Sequence, residues 1–570
     1  MALSSTAQKP LSPDLMRLIA SGWHHHQNSN WADAARDYKK VLKKAPDNAD
    51  TLHLLGLVRM NQQRVEDAVA LFRASLDRKP DDAKAWYNLA LALVSLRRNS
   101  AAADAMRRAA ALNPGLDDVV SRFIDYRRGA ADWRDYGDQL RFIREGADPS
   151  KPQVRPFLSL LLDDPQLQLE VARRFARDKG YGALAKFQHT PATRRPGRIR
   201  VAYLCEDFRD HAGAFLFAQV PEHHDHGRFE IFAVALGADS ASPYRARIKA
   251  GADQWIDCGT EPAHATAQRL RDLGIDILVD MIGYTGARQL EISAARPAPI
   301  QVSYLTYPGT SGTTFLDYII ADSHVAPLEL APFLSEAIVH LPETYQPNGA
   351  LFQLPPCPSR AEAGLPEEGI VFGAFNAIHK LDPEMFDIWA RLLARVPNSV
   401  IWMLESGHGE RENLARELEA RGLSPARIVY APRCDLNLHL TRLPLADLGL
   451  DTFPCTGHTT ASDMIRMGLP VVTRTGKTFA SRVAGGLLAA SGLGELVARD
   501  AEEYEAIASR LALDPQALAA TRARALEARS TSPLFKPERY VRHLEAAYEQ
   551  MMARWLAGEA PGHFAVPPLG

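Results

Sequence analysis

Prolines recur with a step of 34 residues near the start of the chain, at Pro46, Pro80 and Pro114. Other positions keep the same step and hold small or bulky apolar residues: Ala34, Ala68 and Ala102; Tyr38, Phe72 and Met106; Gly22, Gly56 and Ala90; Leu55 and Leu89. Such a period is typical of a helix–turn–helix unit whose helices cross closely. Each unit buries its apolar face only against the next unit, so this region is constrained to an α-solenoid.

The pattern resembles the tetratricopeptide repeat, of which about three copies fill residues 11–118. Arrays of this kind usually present a concave groove. We therefore expect a polypeptide partner in the groove, although many arrays merely dock against their own protein. Residues 119–194 keep a helix-like apolar spacing and are predicted to form a helical connector.

After Arg194-Arg195-Pro196-Gly197 the pattern changes to short apolar runs separated by helical stretches. The predicted strands cover residues 199–204, 229–236, 275–279, 300–305 and 318–321, and then 369–372, 400–404, 428–430, 446–450 and 470–473. This strand–helix rhythm predicts parallel, doubly wound sheets. We expect two Rossmann-like lobes, at 195–350 and 366–560, the second with closing C-terminal helices. The ligand is expected in the cleft outside the carboxyl ends of their strands.

The stretch from Phe453 to Asp463 contains a Gly-His-Thr-Thr turn at 457–460, between a predicted buried strand and a predicted helix from Thr460 to Met467. Free backbone N–H groups, two hydroxyls and an imidazole at the positive end of a helix dipole favour a diphosphate. Asp463 follows one turn later, where a carboxylate could accept hydrogen bonds from ribose hydroxyls. The competing interpretation is an N-cap that merely satisfies free amides.

Composition narrows the classes of partner and compartment. A net charge of -2 gives no basic field, so neither nucleic acid nor an anionic membrane is expected as a partner. The N-terminal residues 1–10 contain no apolar signal core, and no apolar run approaches the roughly 20 residues that span a bilayer. The five cysteines are scattered without a Cys-x-x-Cys pair. We expect a cytoplasmic protein in reducing surroundings.

Several motifs occur together: Tyr-Pro-Gly-Thr-Ser-Gly (307–312), Phe-Asn (375–376) with Lys-Leu-Asp-Pro (380–383), Arg-Val-Pro-Asn-Ser-Val (395–400), Leu-Asp-Thr (450–452) with Gly-His-Thr-Thr, Ala-Ser-Arg-Val (480–483) and Ser-Pro-Leu-Phe (532–535). In this combination the whole chain resembles the O-linked N-acetylglucosamine (O-GlcNAc) transferases, glycosyltransferase family 41, in a compact bacterial form. The stretch from Asp322 to about Pro366 is too short for the extra domain that animal relatives carry.

The resemblance implies a tetratricopeptide α-solenoid followed by a GT-B glycosyltransferase of two Rossmann-like lobes. It also implies an inverting, metal-independent transfer of N-acetylglucosamine from UDP to serine or threonine hydroxyls of a polypeptide. No cofactor is expected, because the UDP-sugar is a substrate. A homodimer is open, since the sequence does not decide whether the repeats dimerise.

On the donor side, the resemblance places Lys380 at the diphosphate, where a cation offsets the charge that grows on the departing UDP. His458, Thr459 and Thr460 would hold the phosphates, and Asp463 the ribose. His439 matches a family histidine near the uridine, although alone it would be interpreted as a surface residue.

At the sugar end of the cleft, His211 aligns with a family histidine that could orient the acceptor hydroxyl or act as general base. Asp280 is a second candidate base, with loop capping as its alternative, and the donor's own phosphate is a third. Further contacts with the sugar are expected from Tyr284, Thr285, Gly309 and Thr310.

Three residues differ from those of the family and leave the identity of the donor sugar open. Ala377 and His379 replace a glutamine and a tyrosine of the animal enzymes, and Leu436 replaces a lysine. A transferase of the same fold with another nucleotide sugar therefore remains an alternative. A tetratricopeptide scaffold with a weakly active catalytic half is a further one.

Two motifs are set aside. Residues 473–478 end like a phosphate-binding P-loop, but Val471 stands where its first glycine belongs. Neither lobe holds an Asp-x-Asp triplet, so a metal-chelating transferase is not expected. Asp163-Asp164 lies in the connector and is interpreted as a turn.

Overall fold

The computed structural model describes residues 11–116, 118–286, 288–349, 354–407 and 409–569. The N-terminal residues 1–10, examined above for a signal core, and residue 350 at the predicted lobe boundary lie outside this described part. Within it, no helix combines the length and the apolarity needed to cross a membrane. The chain forms two compact units: Met1–Phe142 with Asp148–Val154 and Ser406–Glu417, and Ile143–Ala147 with Arg155–Glu405 and Leu418–Gly570.

The first unit is built from consecutive helix pairs, as the repeat predicts. Its helices are α1 (Pro13–Gln27), α2 (Trp31–Lys44), α3 (Ala49–Asn61), α4 (Val65–Leu76), α5 (Ala83–Ser95), α6 (Asn99–Leu112), α7 (Val119–Gly129) and most of α8 (Tyr136–Arg144). Two N-caps recur in repeat register: the Asn48 side chain accepts the Thr51 N–H, and Asp82 accepts those of Lys84 and Ala85. These caps fix where each pair begins.

Small residues at the helix crossings explain the period. A Cβ atom added to Gly22 would lie 2.6 Å from the Tyr38 ring, and one added to Gly56 would lie 2.6 Å from Phe72. The third copy replaces the pair by Ala90 and Met106, both fully buried. A glycine is therefore paired with an aromatic ring, and an alanine with a thinner, flexible side chain.

The predicted connector, residues 119–194, is divided between the two units. Its first part, with α7, belongs to the first unit, and most of the rest belongs to the second. Residues 406–417 also join the first unit, where the Asn413 side-chain amide donates to the Ala130 carbonyl at 2.7 Å. Residues 119–194 are therefore shared between the two units, because the units are defined by packing and not by chain order.

The second unit begins with α9 (Pro156–Ser159) and α10 (Pro165–Asp178) and continues as alternating strands and helices. The first set is β1 (Ile199–Cys205), α11 (Ala212–Phe217), β2 (Phe229–Ala235), α12 (Pro243–Gly251), β3 (Gln254–Asp257), α13 (Ala263–Leu273), β4 (Ile277–Asp280), α14 (Gln289–Ala294), β5 (Ile300–Ser303), β6 (Tyr318–Ala321) and β7 (Ala337–His340).

The second set is β8 (Val371–Ala374), α15 (Pro383–Arg395), β9 (Val400–Leu404), α16 (Glu410–Ala420, largely in the first unit), β10 (Ile428–Ala431), α17 (Leu436–Arg442), β11 (Leu448–Leu450), α18 (Thr459–Arg466), β12 (Val471–Arg474), α19 (Val483–Ala490), β13 (Val497–Ala498), α20 (Ala501–Leu513), α21 (Pro515–Thr531), α22 (Pro537–Leu556) and β14 (Phe564–Ala565).

The strands form two parallel sheets, one in each lobe. Their orders are β14-β7-β6-β5-β4-β1-β2-β3 and β10-β9-β8-β11-β12-β13. Every strand predicted from the sequence is present, with ends shifted by a few residues. β3, β7, β13 and β14 were not predicted, because short strands near a sheet edge carry little apolar pattern.

The C-terminal segment, predicted to form closing helices, packs against the first lobe. Helix α22 packs its apolar face, including Tyr540, Leu544 and Tyr548, into the core of the first lobe. The buried Glu545 carboxylate lies 3.0 Å from His224 Nδ1 of that lobe. Strand β14 then pairs with β7. The chain therefore returns to the first lobe after α21.

The Gly56 crossing yields a stability prediction. Gly56→Ala adds a methyl group against the Phe72 ring and is expected to destabilise α3 and α4 by about 1–3 kcal/mol, the usual cost of overpacking. The measurement is amide hydrogen exchange in residues 49–76. The matched control is the double variant Gly56→Ala/Phe72→Met, which copies Ala90 and Met106 and should recover most of the loss. Equal exchange in the single variant and the parent would contradict this account of the crossing.

Candidate active site

Each sheet has one position where the strand order reverses, and several of the predicted site residues lie there. In the first sheet β1 and β4 are neighbours, and in the second sheet β8 and β11 are neighbours. In open parallel sheets the crevice at such a switch point is where ligands bind. His211 lies in the loop after β1 and Asp280 is the last residue of β4, while the loops after β8 and β11 carry Lys380 and His458.

The second switch point brings together the residues predicted to hold a diphosphate. The Lys380 ammonium donates to the Thr456 carbonyl at 2.7 Å, although 76 residues separate them. His458 is the N-cap of α18, so Thr459 and Thr460 are its first two residues. The helix begins one residue earlier than predicted. The Lys380 ammonium is therefore bonded to the turn that leads into the helix N-terminus with its free N–H groups. A cation and a helix N-terminus placed in this way suit a phosphorylated ligand.

The imidazole of His458 is neutral and has a free nitrogen. Burial, reinforced by the charge of Lys380, lowers its pKa well below the usual value. Nε2 is buried and meets no hydrogen-bond partner among the residues that the structure describes. A buried polar atom without a partner costs free energy unless a ligand supplies one.

A buried carboxylate, Asp451, organises this turn and was missed in the sequence. Its Oδ1 accepts the N–H groups of Thr452 (2.9 Å) and Gly457 (2.7 Å), and its Oδ2 accepts the Thr473 hydroxyl at 2.5 Å. The Asn376 side-chain amide also donates to Oδ1 at 2.6 Å. Its signals in the sequence are its place directly after β11 and its membership of the Leu-Asp-Thr motif, neither of which reveals its role.

Asp463 lies one turn into α18, as predicted for a ribose-binding carboxylate. Burial raises the pKa of this carboxyl to about 7, although the charge of Arg466 opposes the shift. In the described part of the chain no donor is hydrogen-bonded to its side chain. The carboxylate is therefore available to ligand hydroxyls.

His439 lies on α17 with its ring edge-on to Phe375, at 5.5 Å between centroids. Arg442 Nη2 lies 3.1 Å from His439 Nδ1 and donates to it, because a guanidinium has no acceptor. Nδ1 is then unprotonated, and Nε2 carries the proton. Burial, with the charges of Arg442 and Arg433, lowers the pKa of His439 to about 4. The ring is neutral and offers an N–H donor.

His211 lies at the first switch point as the N-cap of α11. Its Nδ1 accepts the Gly213 N–H at 3.3 Å and lies 3.5 Å from Asp207 Oδ2. Its side chain is 38% exposed, so it can meet a ligand as well as cap the helix. Burial lowers its pKa, partly opposed by Asp207, and keeps the imidazole neutral.

Three predicted residues are engaged inside the first lobe instead. Asp280 is 1% exposed and accepts the N–H groups of Ile282 and Gly283 at 3.0 Å each, which favours loop capping over a general base. Burial raises its pKa. The buried Tyr284 hydroxyl donates to the Ser311 carbonyl at 2.6 Å. The Thr310 hydroxyl donates to Glu336 Oε2 at 2.8 Å. The hydroxyls of Tyr284 and Thr310 are thus bonded inside the lobe, and their contact with a sugar stays a prediction.

Two other residues predicted to contact the sugar lie in loops of the first lobe, after β4 and after β5. Thr285 is exposed, with its hydroxyl bonded to the Ile282 carbonyl at 2.7 Å. Gly309 packs closely, since an added Cβ would lie 3.2 Å from Leu160 Cδ2. Their contact with a sugar stays a prediction.

Comparison with known proteins identifies the family. The profile described as glycosyl transferase family 41 matches residues 153–349 and 352–544, and that of the tetratricopeptide repeat matches 19–83 and 53–117. The chain is 36% identical over 432 residues to a probable UDP-N-acetylglucosamine–peptide N-acetylglucosaminyltransferase (SEC) of Arabidopsis thaliana, covering 73% of this chain and 44% of the relative.

A UDP-N-acetylglucosamine–peptide N-acetylglucosaminyltransferase of Caenorhabditis elegans is 28% identical, over 76% of this chain and 49% of its own length. The chain thus spans less than half the length of these two relatives. A solved mutant of the Thermobaculum terrenum O-GlcNAc transferase is similar at 27% identity and a TM-score of 0.74, covering 96% of this chain and 100% of that one. The chain therefore belongs to glycosyl transferase family 41.

Proposed function

We propose that the chain is an inverting, metal-independent transferase that moves N-acetylglucosamine from UDP-N-acetylglucosamine to serine or threonine hydroxyls of polypeptides. One observation carries the proposal: the Lys380 ammonium and the N-terminus of α18 meet at the switch point of the second sheet. The names of the Arabidopsis and Caenorhabditis relatives support the donor and the peptide acceptor. The tetratricopeptide groove would receive the acceptor chain.

The donor would lie across the second lobe. His439 would face the uridine with its Nε2–H, Asp463 would accept from the ribose hydroxyls, and the amides of Thr459 and Thr460 would bind the diphosphate. Lys380 offsets the negative charge that develops on the departing UDP. The attraction between these two charges is strongest in surroundings with little water.

In the transfer step the acceptor oxygen forms a bond to the anomeric carbon while the bond from that carbon to the β-phosphate oxygen breaks. Its electron pair leaves with UDP, and the configuration inverts. The hydroxyl proton passes to a base, either His211 or a donor phosphate oxygen. Asp280 is disfavoured, because both of its oxygens accept bonds inside the lobe.

Another donor sugar is the alternative favoured by one observation. Ala377, where the animal enzymes have a glutamine, is exposed and offers only a methyl group. The test is to measure turnover with a panel of nucleotide sugars on one peptide mixture. Fastest turnover with UDP-N-acetylglucosamine supports the proposal, and faster turnover with another sugar replaces the donor.

Lys380→Ala is expected to lower turnover by about 10²–10³, the cost of losing one charge-stabilising group. Calorimetric titration with UDP in the presence of EDTA should show weaker binding than the parent chain. The control is Lys536→Ala, which removes an exposed lysine elsewhere in the same unit. Unchanged turnover would remove Lys380 from the mechanism. An absence of UDP binding in the parent chain would favour the scaffold alternative.

His211→Ala is expected to lower turnover by about 10²–10⁴ while UDP affinity is kept, if the imidazole assists proton transfer. His211→Asn separates catalysis from capping, because asparagine is a good N-cap but a poor base. Single-turnover rates and UDP titration of both variants provide the measurement. Full activity of the asparagine variant would reduce His211 to its cap.

UDP binding is expected to strengthen with rising pH through about 7. Asp463 accepts hydrogen bonds well only as a carboxylate, and its pKa is about 7 in the free protein. Bound ribose hydroxyls would stabilise the charged form, so protonation at pH 6 should weaken binding. Titrations at pH 6 and 8 measure the effect, and Asp463→Asn removes it while leaving the phosphate's own titration. An equal pH dependence in both proteins would exclude this role.

A further inference from the structure

Two motifs that have no part in the proposed site contact each other. Asp163 follows α9 in the connector, and the P-loop-like stretch follows β12 in the second lobe. Asp163 Oδ1 accepts the Lys477 N–H at 2.7 Å, the Thr478 N–H at 3.1 Å and the Ser481 hydroxyl at 2.8 Å. Three donors more than 300 residues away in sequence therefore converge on one carboxylate oxygen.

The glycine of the P-loop-like stretch is explained by this contact. A Cβ atom added to Gly476 would lie 2.6 Å from both Asp163 carboxylate oxygens and 2.5 Å from Ser481 Oγ. Such distances are shorter than any carbon–oxygen contact allows, so a side chain here would displace the carboxylate. Gly476 gives Asp163 room to approach the backbone.

The Thr478–Ser481 turn is hydrogen-bonded to the turn that is proposed to bind the diphosphate. The Ala480 carbonyl accepts the Thr456 N–H at 3.1 Å and the Thr456 hydroxyl at 2.8 Å. The Ala480 carbonyl also interacts with His458. Thr456 in turn gives its own carbonyl to Lys380. The position of the Ala480 carbonyl thus sets the positions of His458 and Lys380, the two side chains proposed to lie at the phosphates.

We propose that Asp163 is a positioning residue for the donor site. By accepting the three donors of the Gly476–Ser481 loop, it fixes the Ala480 carbonyl and, through Thr456, the diphosphate-binding turn. The proposal rests on the proposed function for its ligand, a nucleoside diphosphate, but its geometry is independent of the sugar. Residues that support a ligand-binding group from behind often set its affinity.

The same connector segment also contacts the first lobe. The Ala172 carbonyl of α10 accepts the Tyr284 hydroxyl at 3.3 Å, and Gly312 packs against the backbone of Ala172 and Arg173. Residues 155–178 therefore touch loops that follow strands of both sheets. Asp163 contacts the loop that leads to the donor turn, and Phe157 lies against His379, beside Lys380, with 5.8 Å between the ring centroids.

The test compares Asp163→Ala with Asp164→Ala in the full chain. Asp164 is the matched control, since it caps α10 through the Leu167 N–H and has no hydrogen bond to the loop among the described residues. Asp163→Ala is expected to weaken UDP binding about tenfold, the lower end of the loss known for outer partners of metal ligands. Asp163→Asn keeps an acceptor oxygen and should recover most of the affinity. Gly476→Ala should reproduce the loss from the loop side.

Hydrogen exchange of the free proteins provides a second readout that does not depend on UDP. Asp163→Ala should speed exchange in the peptides that contain residues 456–466, and Asp164→Ala should not. Parental UDP affinity in folded Asp163→Ala, or an equal loss in Asp164→Ala, would overturn the proposal. If the parent chain binds no UDP, the proposed function fails, and exchange in residues 456–466 alone then decides whether Asp163 positions the turn.

Discussion

The proposed donor site depends on one buried carboxylate, Asp451. A charge in the interior is tolerated only where hydrogen bonds replace water, and Asp451 receives them from two backbone N–H groups, a threonine hydroxyl and the Asn376 amide. These donors come from the ends of β8 and β12 and from the turn after β11. Satisfying the carboxylate therefore fixes three strand ends relative to one another. Lys380 and His458 take their places from that arrangement.

The parallel topology explains why residues far apart in sequence share this site. The strand order reverses between β8 and β11, so the loops after these strands diverge from neighbouring positions and leave a crevice. The first sheet has the same feature between β1 and β4. The return of α22 and β14 to the first lobe joins the two lobes through the chain's last segment. The last helix and strand of the chain are thereby packed into the hydrophobic core and the sheet of the first lobe.

The sequence predicts those features that periodicity encodes. The step of 34 residues defined the helix pairs, and the apolar runs defined the central strands, because burial on both faces leaves a continuous pattern. Edge strands such as β3 and β13 carry no such signal. The candidate site residues follow strand ends, as the strand pattern predicts, but the orientation of their side chains is not encoded in that pattern. Nothing in the sequence distinguishes the inward hydroxyls of Tyr284 and Thr310 from hydroxyls that face the cleft.

Burial sets the electrostatics of the cleft. It lowers the pKa of His458, His439 and His211, which keeps these imidazoles neutral at pH 7, and it raises the pKa of Asp463 to about 7, so that this carboxyl changes its charge near that pH. The charge that Lys380 introduces interacts with the buried Asp451 carboxyl, while the neutral histidines add no charge of their own. In low-dielectric surroundings an ammonium group acts more strongly on a nearby phosphate than it would in water. Three neutral histidines and one lysine therefore suit a leaving group whose negative charge increases as its bond breaks, without any compensating motion of water.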